Sequence, residues 1–431
     1  MNYHMDPDRE EIMNILYISQ FAGSAEMGRV DRPYYMALRW QERGHRVAVV
    51  AASFSLLRTR NPVVESGVDQ AEADGVEYYF LRTPAHSGSG PGWARNTGAF
   101  VRRLRHAARQ LAREFRPDVV IAGSTHPLDF ASAEKIAGES GALLVYELYT
   151  LWLLPSTALN GYNPLHPAVL AMQSAERRAL ARAAQIVSIL PNTDRYIQKR
   201  GFVTQGRFVH IPVGVPLVSA APVERAHRHL ACLQRHRDRG KLIVLYCGSL
   251  RKAYSLETFV RAAKLLENDG VQFVTVGGGD CKDALWEQAS REEVRNITFC
   301  STVPKEQVPE ILELADVLYV GAQNSPLNRY GVGMNKLLDY MAAAKPVIYG
   351  VEGADNPVRS AGCGLTIPAR DECAMAKAVR VLKAMPEERR RQMGENGKRY
   401  VRERHNYQKL ADLFLNCMEE GVEVFRQESA R

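Results

Sequence analysis

Two successive runs of alternating apolar and helical segments constrain the fold of this chain more than any other feature. The first run begins with the apolar segment Asn14–Ser19, a glycine-containing loop at Phe21–Arg29 and a helical pattern over Tyr34–Arg43. Arg46–Ala51 is then a second apolar segment with the length of a buried strand. A β-loop-α-β unit of this kind predicts a parallel, doubly wound sheet, because a parallel connection needs a crossover, usually a helix.

The same alternation restarts after residue 240, and the 431 residues of the chain are enough for two domains. In the first run, the pattern predicts further strands at Val76–Leu81, Val119–Ala122, Ala142–Tyr146, Ile186–Leu190 and Phe208–Ile211, and a helix at Ala99–Phe115. In the second run, it predicts strands at Lys241–Cys247, Val271–Val276, Ile297–Cys300, Val317–Val320 and Pro346–Tyr349, and helices at Ser255–Glu267, Ala284–Ser290, Lys305–Ala315 and Asn335–Ala343. Between the runs lies Pro212–Arg239, in which Arg225–Arg239 is predicted to be an exposed helix. The fold class is therefore α/β, with two Rossmann-like domains.

Composition favours a cytoplasmic protein. Apolar residues make up 46% of the chain and charged residues 24%, as in soluble globular proteins. The apolar runs are all shorter than the ~20 residues that span a bilayer, and the polar first twelve residues lack the apolar stretch of a secretory signal. The seven cysteines are scattered singly, without the spacing of a zinc site, so no metal is expected.

The net charge of +8 permits contact with an anionic partner. Basic residues concentrate at Arg102–Arg116, Arg177–Arg182 and Arg225–Lys241. The simplest interpretation is that they form solvated helix faces. The alternative is that the N-terminal half contacts an anionic membrane peripherally, at the inner face of the plasma membrane. No aromatic-interleaved motif accompanies the charge, so a nucleic-acid partner is not expected.

Two facing Rossmann-like domains would enclose a cleft, and ligands of open parallel sheets bind where strands end and helices begin. One segment there has the chemistry of a diphosphate site. Gly331 and Gly333 precede the predicted helix that carries Lys336 and, three residues later, Asp339. Helix N-terminal amides can hold a diphosphate, and the Asp carboxylate can accept hydrogen bonds from a ribose diol. The alternative is an ordinary glycine-initiated helix with a Lys–Asp pair.

The segment NKLLDYMAAAKPVI resembles the signature of family-4 retaining glycosyltransferases, in particular the bacterial branch that transfers amino sugars in O-antigen and capsule assembly. The likeness extends over most of the chain. It includes MNILYISQFAGSAEMGR at the start, Gly123–Leu128, Val145–Trp152, Glu176 with the following IVSILPNTDRYIQKRG, and Gly248–Lys252. Each piece is modest, but their order and spacing are specific.

The resemblance implies a GT-B fold with an acceptor domain at 13–215, a donor domain at 216–400 and a C-terminal helix, 401–431, that returns to the first domain. It also implies a nucleotide-sugar donor, UDP-linked, and no cofactor or metal. The donor-binding residues that it implies are Gly28, Arg251, Lys252, Gly278, Val303, Gly333, Met334, Asn335, Lys336 and Asp339. Among them, Arg251, Lys252 and Lys336 are expected to hold the phosphates, and Val303 to lie near the base.

Three positions depart from the family pattern. Its Glu-x7-Glu pair is replaced by Gly331, which has no acid, and by Asp339, which has a shorter one. The Arg-Asp pair of the segment that Glu147 opens is replaced by Tyr149 and Thr150. These departures put the contacts to the transferred sugar and to the acceptor in doubt.

His126, in a loop after a strand, and Glu147, at the end of the next strand, are the candidate catalytic residues. His126 would contact the transferred sugar or the acceptor hydroxyl, and Glu147 would orient it or bind the acceptor. The expected reaction moves a sugar to a hydroxyl of a lipid-linked saccharide or a surface polysaccharide. Two alternatives stay open: a nucleotide-sugar epimerase of the same fold, and a catalytically weakened nucleotide-binding subunit of a polysaccharide assembly complex.

Overall fold

The computed structural model describes residues 12–88, 90–149, 151, 163, 165–216 and 227–429. The chain divides into two compact units. Unit 1 comprises Met1–Pro212 and Tyr407–Arg431, and unit 2 comprises Val213–Asn406. The first crossing therefore lies close to the expected limit at residue 215, and the return falls at Tyr407, a few residues after the expected limit at 401.

The strands were numbered along the chain. The described strands are β1 (Asn14–Ile18), β2 (Arg46–Ala52), β3 (Val68–Ala73), β4 (Val76–Leu81), β5 (Val119–Ala122), β6 (Leu143–Leu148), β7 (Gln185–Ser188), β8 (Phe208–His210), β9 (Leu242–Cys247), β10 (Val271–Val276), β11 (Ile297–Cys300), β12 (Val317–Gly321), β13 (Val347–Gly350) and β14 (Gly364–Thr366). Unit 1 holds one sheet in the order β3-β4-β2-β1-β5-β6-β7-β8, and unit 2 holds another in the order β11-β10-β9-β12-β13-β14. All neighbours are parallel except β3 and β4, which are antiparallel. The two sheets confirm the predicted α/β class with two Rossmann-like domains.

Most of the described helices lie between successive strands in the chain, and the last three follow the final strand. They are α1 (Arg32–Glu42), α2 (Pro91–Phe115), α3 (Phe130–Ser140), α4 (Pro167–Arg182), α5 (Thr193–Lys199), α6 (His227–Asp238), α7 (Glu257–Leu265), α8 (Lys282–Arg291), α9 (Val308–Glu313), α10 (Asn335–Ala342), α11 (Pro357–Ala361), α12 (Glu372–Ala384), α13 (Glu387–Arg404) and α14 (Tyr407–Ser429). Within the described part of the chain, no helix is both long and apolar enough to cross a membrane.

The C-terminal helix α14 belongs to the core of unit 1. Its Phe414 packs edge-on against Trp40 of α1, with ring centroids 5.3 Å apart, and Trp40 Nε1 donates a hydrogen bond to the carbonyl of Ala411 at 2.9 Å. Arg39 adds an ion pair to Asp412 at 3.1 Å. The last helix therefore completes the apolar face of a unit that the chain left almost two hundred residues earlier.

The sheet of unit 2 is buried on both faces. Ile243 and Leu245 of β9 belong to one apolar cluster, whereas Val244 and Tyr246 belong to the other. Successive side chains of a strand point to opposite faces, so a continuously apolar strand requires a layer of helices on each side. This arrangement leaves the ends of the strands as the place for polar groups.

Some elements differ from the sequence-based expectations. The edge strand β3 was not predicted, because its residues VDQAEA are polar and mostly exposed or half-buried. The short β14 was not predicted either. Helix α2 begins at Pro91 rather than Ala99, since proline at the first turn starts a helix that Gly92 and Gly98 disguise in the sequence. The helix expected over Lys305–Ala315 is a 3₁₀ turn at Lys305–Gln307 followed by α9. Arg225, the first residue of the predicted basic helix, lies outside the described residues, and the helix is observed at His227–Asp238.

Candidate functional site

Two loops meet at the carboxyl ends of β9 and β10. The register pairs Cys247 with Val276, so the two strands end level with each other. The backbone N–H of Leu250 then donates to the carbonyl of Gly278 at 2.8 Å, and that of Cys281 donates to the carbonyl of Leu250 at 3.1 Å. The loops Gly248–Lys252 and Gly277–Cys281 are therefore held together by their own backbones.

Glycine is required for this approach. Gly277 has a φ of +152°, and a Cβ there would lie 2.0 Å from the carbonyl oxygen of Gly248. Gly279 has a φ of +155°, and its Cβ would lie 2.3 Å from the carbonyl oxygen of Leu250. At Gly278 a Cβ would come within 2.9 Å of Thr302, in the loop that also carries Val303. Three loops thus meet at backbone distance, and Gly278 and Val303, both predicted to bind the donor, lie in two of them.

Lys336 enters this junction from the first turn of α10. Its ammonium donates to the Tyr246 hydroxyl at 2.5 Å and lies 3.1 Å from the ring centroid of Tyr254. A Cβ on Gly248 would be only 3.4 Å from Lys336 Nζ, so the ammonium also lies against the glycine loop. Burial lowers the pKa of Lys336 to about 7, because water is replaced by aromatic surface. Cation–π contact offsets only part of that cost.

Helix α10 presents its N-terminus in the same region. Met334 occupies the position before the helix in an extended conformation and makes no side-chain capping hydrogen bond. Gly333 and Asn335 on either side are exposed. Tyr340 fixes the helix to β9, because its hydroxyl accepts from the Cys247 N–H at 2.7 Å and donates to the Cys247 carbonyl at 2.9 Å. The first amides of α10 are therefore held in place and are not covered by a cap.

Two further cations follow β9. Arg251 and Lys252 are exposed, and neither forms an ion pair with any part of the chain that the structure describes. The charge of Arg251 also lowers the pKa of Lys336, although less than burial does. The cations expected to hold phosphate thus lie in the loop after β9 and on α10, and they create a local surplus of positive charge.

Asp339 lies on α10 one turn after Lys336 and is half-buried, with its carboxylate bound by the ammonium of Lys305. Gly331, where the family has an acid, has a φ of +115° and is buried. An acidic side chain at that backbone conformation would be strained. The loss of the first acid therefore goes together with a backbone that favours glycine.

Sequence reasoning missed three residues near this junction. Tyr246 and Tyr254 form the aromatic walls around Lys336, and the sequence offers only their position beside the Gly248 loop as a signal. Asp355 lies near the backbone of Val332, next to Gly331, and burial raises the pKa of its carboxyl. Asp355 follows β13 at the strand end, which is the signal that could have identified it.

In unit 1, Glu147 is fully buried and bound by internal partners. Its carboxylate accepts from Arg32 Nε at 2.6 Å and from the hydroxyl of Tyr17, which in turn lies 3.1 Å from the Tyr149 hydroxyl. Arg32 Nη1 donates to the carbonyl of Pro212 at 2.6 Å. The structure therefore places Glu147 in an ion pair that ties β6 to α1, and its catalytic role stays a prediction. Thr150 and Trp152, in the same family segment, lie outside the described residues.

His126 is also buried in unit 1. Its Nε2 donates to Gln20 Oε1, and the Gln20 amide donates to Asn96 Oδ1 at 2.8 Å. Burial lowers the pKa of His126 to about 4, so the ring is neutral at physiological pH. With Nε2 as the donor, Nδ1 has the lone pair, and it has no hydrogen-bond partner in the described structure. A neutral acceptor nitrogen is the chemistry that this predicted catalytic residue offers.

Gly28, the remaining predicted donor residue, forms a tight turn in unit 1. Its φ is +66°, and a Cβ would lie 1.9 Å from the hydroxyl of Thr59. The predicted site residues are therefore divided between the units. Gly28, His126 and Glu147 lie in unit 1, and Arg251, Lys252, Gly278, Val303, Gly333, Met334, Asn335, Lys336 and Asp339 lie in unit 2. Among the described residues, no group of three His, Cys, Asp or Glu side chains is placed to hold a metal ion.

Two family models match the chain, one mostly within unit 1 and the other within unit 2. Residues 30–214 match a glycosyl transferase 4-like domain, and residues 234–400 match the glycosyl transferases of group 1. The chain belongs to the GT-B glycosyltransferases. No curated protein sequence matches this glycosyltransferase.

Solved structures share the fold of this glycosyltransferase over nearly its whole length. A sucrose-phosphate synthase from Thermosynechococcus elongatus is 16% identical with a TM-score of 0.68, covering 96% of this chain and 99% of its own. The catalytic domain of starch synthase IV from Arabidopsis thaliana, bound to ADP and acarbose, is 13% identical with a TM-score of 0.66, and the match covers 96% of this chain and 100% of that domain. HepE from Anabaena, in complex with UDP and glucose, is 12% identical with a TM-score of 0.63, covering 94% of this chain and 99% of its own. The predicted glycosyltransferase fold is confirmed, and the polysaccharide branch stays a prediction.

Proposed function

We propose that this glycosyltransferase takes a UDP-linked sugar as donor and transfers the sugar, with retention of configuration, to a hydroxyl of a lipid-linked saccharide or a surface polysaccharide. The observation that carries the proposal is the position of Lys336. The ammonium of the half-buried Lys336, which belongs to the first turn of α10, lies beside the glycine loop after β9 and near Arg251. A diphosphate group would neutralise the positive charge at this junction, because it carries at least two negative charges.

The phosphates of the donor are assigned to three cations and one helix end. Arg251 and Lys252 offer exposed charges without ion-pair partners in the described structure, and the uncapped amides of α10 point their dipole toward an anion. Lys336 becomes fully charged when the diphosphate arrives, because a nearby anion raises the pKa of an ammonium. These groups supply the positive charge that the departing phosphate needs, so the proposed reaction uses no metal ion.

The ribose is assigned to Asp339. Its carboxylate is half-buried on α10 and is held by the flexible ammonium of Lys305. An exposed ion pair of this kind is weak, so a ribose diol can replace the lysine at little cost. HepE, which was solved in complex with UDP-glucose, supports a uridine nucleotide as the first candidate.

The reaction breaks one bond and forms another. The bond between the anomeric carbon of the sugar and the β-phosphate oxygen breaks, and its electron pair leaves with UDP. The acceptor hydroxyl oxygen forms the new glycosidic bond and loses its proton, which a phosphate oxygen of the departing UDP accepts. Cations fixed beside the β-phosphate stabilise the charge that grows on it during departure, which lowers the barrier more than it strengthens substrate binding.

The lipid-linked acceptor and a peripheral position at the cytoplasmic face of the membrane belong to the same proposal. The supporting observation is the density of basic side chains on α2, where Arg95, Arg102 and Arg105 are exposed. Anionic lipids attract such clusters.

The test is a thermal-shift screen followed by a transfer assay. UDP, GDP, ADP and UDP-sugars are each added to the purified chain, and UDP with its sugars is expected to raise the melting temperature most. A radiolabelled donor is then incubated with membrane lipid from the source cell, and label should appear in the lipid fraction. If no nucleoside diphosphate or nucleotide sugar raises the melting temperature, the proposal fails.

A second candidate is a catalytically weakened nucleotide-binding subunit of a polysaccharide assembly complex. The burial of both predicted catalytic residues favours it, because Glu147 is tied to Arg32 and His126 to Gln20. This candidate predicts UDP binding without release of UDP from any UDP-sugar, even with native lipid extract present. Turnover with the extract would exclude it.

A further inference from the structure

A basic groove runs along α2 in unit 1. Its volume is about 770 Å³, and its walls carry the four arginines Arg82, Arg95, Arg102 and Arg103. It continues into a second cavity of about 440 Å³ that shares Arg102 and Arg103 and reaches the start of β3. Arg82 directly follows the carboxyl end of β4, which is the edge at which open parallel sheets bind ligands.

The groove holds positive charge without compensation. None of the described residues that line either cavity is Asp or Glu. None of the four arginines pairs with a carboxylate in the described part of the chain, whereas Arg109, further along α2, pairs with Glu139 at 3.1 Å. The Nε of Arg103 is buried and has no hydrogen-bond partner within the described structure. Guanidinium groups gathered in this way repel one another until an anion neutralises them.

The helix is also shaped to leave room between these charges. Arg95 and Arg102 are seven residues apart and therefore lie on the same face of α2. Gly98 and Ala99 lie between them and also line the groove, and a Cβ at Gly98 would meet nothing within 4 Å. A glycine inside a helix costs about 1 kcal/mol relative to alanine. Gly98 occupies the position at which a larger side chain would enter the groove, so the cost in helix stability leaves the groove open.

We propose that this groove binds a phosphate-type anion, either a phosphomonoester or a diphosphate group. Guanidinium groups bind phosphate oxygens through paired N–H donors, and several of them around one space select a multiply charged ligand. The group belongs either to a soluble phosphorylated ligand or to a lipid headgroup. The residues that line the groove include none of those assigned to the donor, so this proposal does not require that the donor assignment be correct.

The test is calorimetric titration of the full chain with inorganic pyrophosphate, in an Arg251→Gln/Lys252→Gln background that removes two of the assigned donor cations. The double variant Arg95→Gln/Arg102→Gln is expected to bind pyrophosphate about tenfold more weakly or worse, as the loss of charge-assisted hydrogen bonds predicts. Arg105→Gln is the matched control, because Arg105 is exposed on the same helix but does not line the groove. Equal affinity in the double variant, or an equal loss in the control, would overturn the proposal.

A second pair of variants tests whether a loss of pyrophosphate binding could instead result from misfolding. Gly98→Glu places a carboxylate in the groove and should abolish the same binding. Gly98→Ala should retain the binding and raise the melting temperature, since its Cβ meets open space. Equal binding by these two variants would contradict the assignment. All groove variants are compared in the same Arg251→Gln/Lys252→Gln background, so a failure of the unaltered chain to bind UDP counts against the proposed donor and leaves the pyrophosphate comparison readable.

Vesicles distinguish the two sources of the phosphate group. Phosphatidylcholine vesicles with and without phosphatidic acid are sedimented with the wild-type chain and the Arg95→Gln/Arg102→Gln variant. Binding that needs phosphatidic acid and both arginines assigns the group to a lipid headgroup. Pyrophosphate binding without vesicle binding assigns it to a soluble ligand. If neither pyrophosphate nor phosphatidic acid binds, the proposal is wrong.

Discussion

The charged side chains at the end of β6 in unit 1 and those at the end of β9 in unit 2 differ in their ion pairing. In unit 1, Arg32 and Glu147 are almost completely buried and neutralise each other at 2.6 Å. In unit 2, Arg251 and Lys252 are exposed without ion-pair partners among the described residues, and the half-buried Lys336 packs against two tyrosine rings. A charge that is satisfied internally stabilises the fold, whereas a surplus of charge is available to a ligand. The contrast supports the proposal that the diphosphate of the donor binds to unit 2, and the catalytic role of Glu147 stays a prediction.

The largest expected effect comes from breaking the buried pair. Glu147→Ala leaves Arg32 charged and buried without its partner, so the free energy of unfolding should fall by about 3–5 kcal/mol. Urea denaturation followed by circular dichroism measures the loss. Glu77→Ala is the control, because the Arg46–Glu77 pair of the same unit is partly exposed and should contribute at most about 1 kcal/mol. Similar losses for the two variants would contradict the distinction between the buried pair and the partly exposed pair.

The next effect concerns the ribose assignment. Asp339→Ala should weaken UDP binding by about 1.5–3 kcal/mol for each hydrogen bond lost, because the carboxylate is the assigned acceptor for the ribose hydroxyls. Titration calorimetry with UDP measures the change, and Asp269→Ala, at another exposed ion pair of unit 2, is the control. An affinity for UDP that does not change in Asp339→Ala would show that the ribose lies elsewhere.

The pH dependence of UDP binding depends on Lys336, whose pKa is lowered to about 7. Below pH 7 the ammonium is already charged, so affinity should depend little on this group. Above pH 7 the free protein must take up a proton when the diphosphate binds, and affinity should fall by about tenfold per pH unit until the pKa of the bound state is reached. Calorimetry at pH 8 in buffers of different ionisation enthalpy should detect uptake of nearly one proton.

Lys336→Met provides the comparison for this pH dependence. The variant should bind UDP more weakly at pH 6.5 and should lose the added fall in affinity between pH 7 and pH 9. A pH profile of the variant that matches the wild type would assign the dependence to another group.

The smallest effect is expected at the pair between Lys305 and Asp339. Lys305→Ala should change the free energy of unfolding by about 0.2–1 kcal/mol, because the lysine is exposed to solvent and to salt. UDP affinity should stay equal or rise slightly, since the carboxylate no longer has to exchange partners. A clear loss of UDP affinity in Lys305→Ala would instead place the lysine among the groups that bind phosphate.

The sequence predicts most of the fold because the strands are continuously apolar, and the glycine loops at their ends are visible as such. It misses β3, whose polar residues give no alternating pattern, and with it one wall of the arginine groove. The sequence also does not reveal the hydrogen-bond and ion-pair partners of the charged residues, because these partners come from distant parts of the chain. Arg32 lies 115 residues from Glu147 in sequence, and Tyr246 lies 90 residues from Lys336. Residue type and position therefore identify Lys336 and Glu147 as candidates, but only packing shows that one is desolvated beside open loops and the other is neutralised.

The placement of α14 in unit 1 has a consequence for synthesis of the chain on the ribosome. Trp40 and its apolar neighbours are made early, but Phe414, which covers Trp40, emerges only after the whole of unit 2. At ~5–20 residues per second, the synthesis of unit 2, Val213–Asn406, takes roughly 10–40 s. During that interval the nascent first unit exposes the face that α14 later covers. A ribosome that stalls inside unit 2 would therefore release a chain with an exposed apolar surface, which chaperones bind and which aggregates readily.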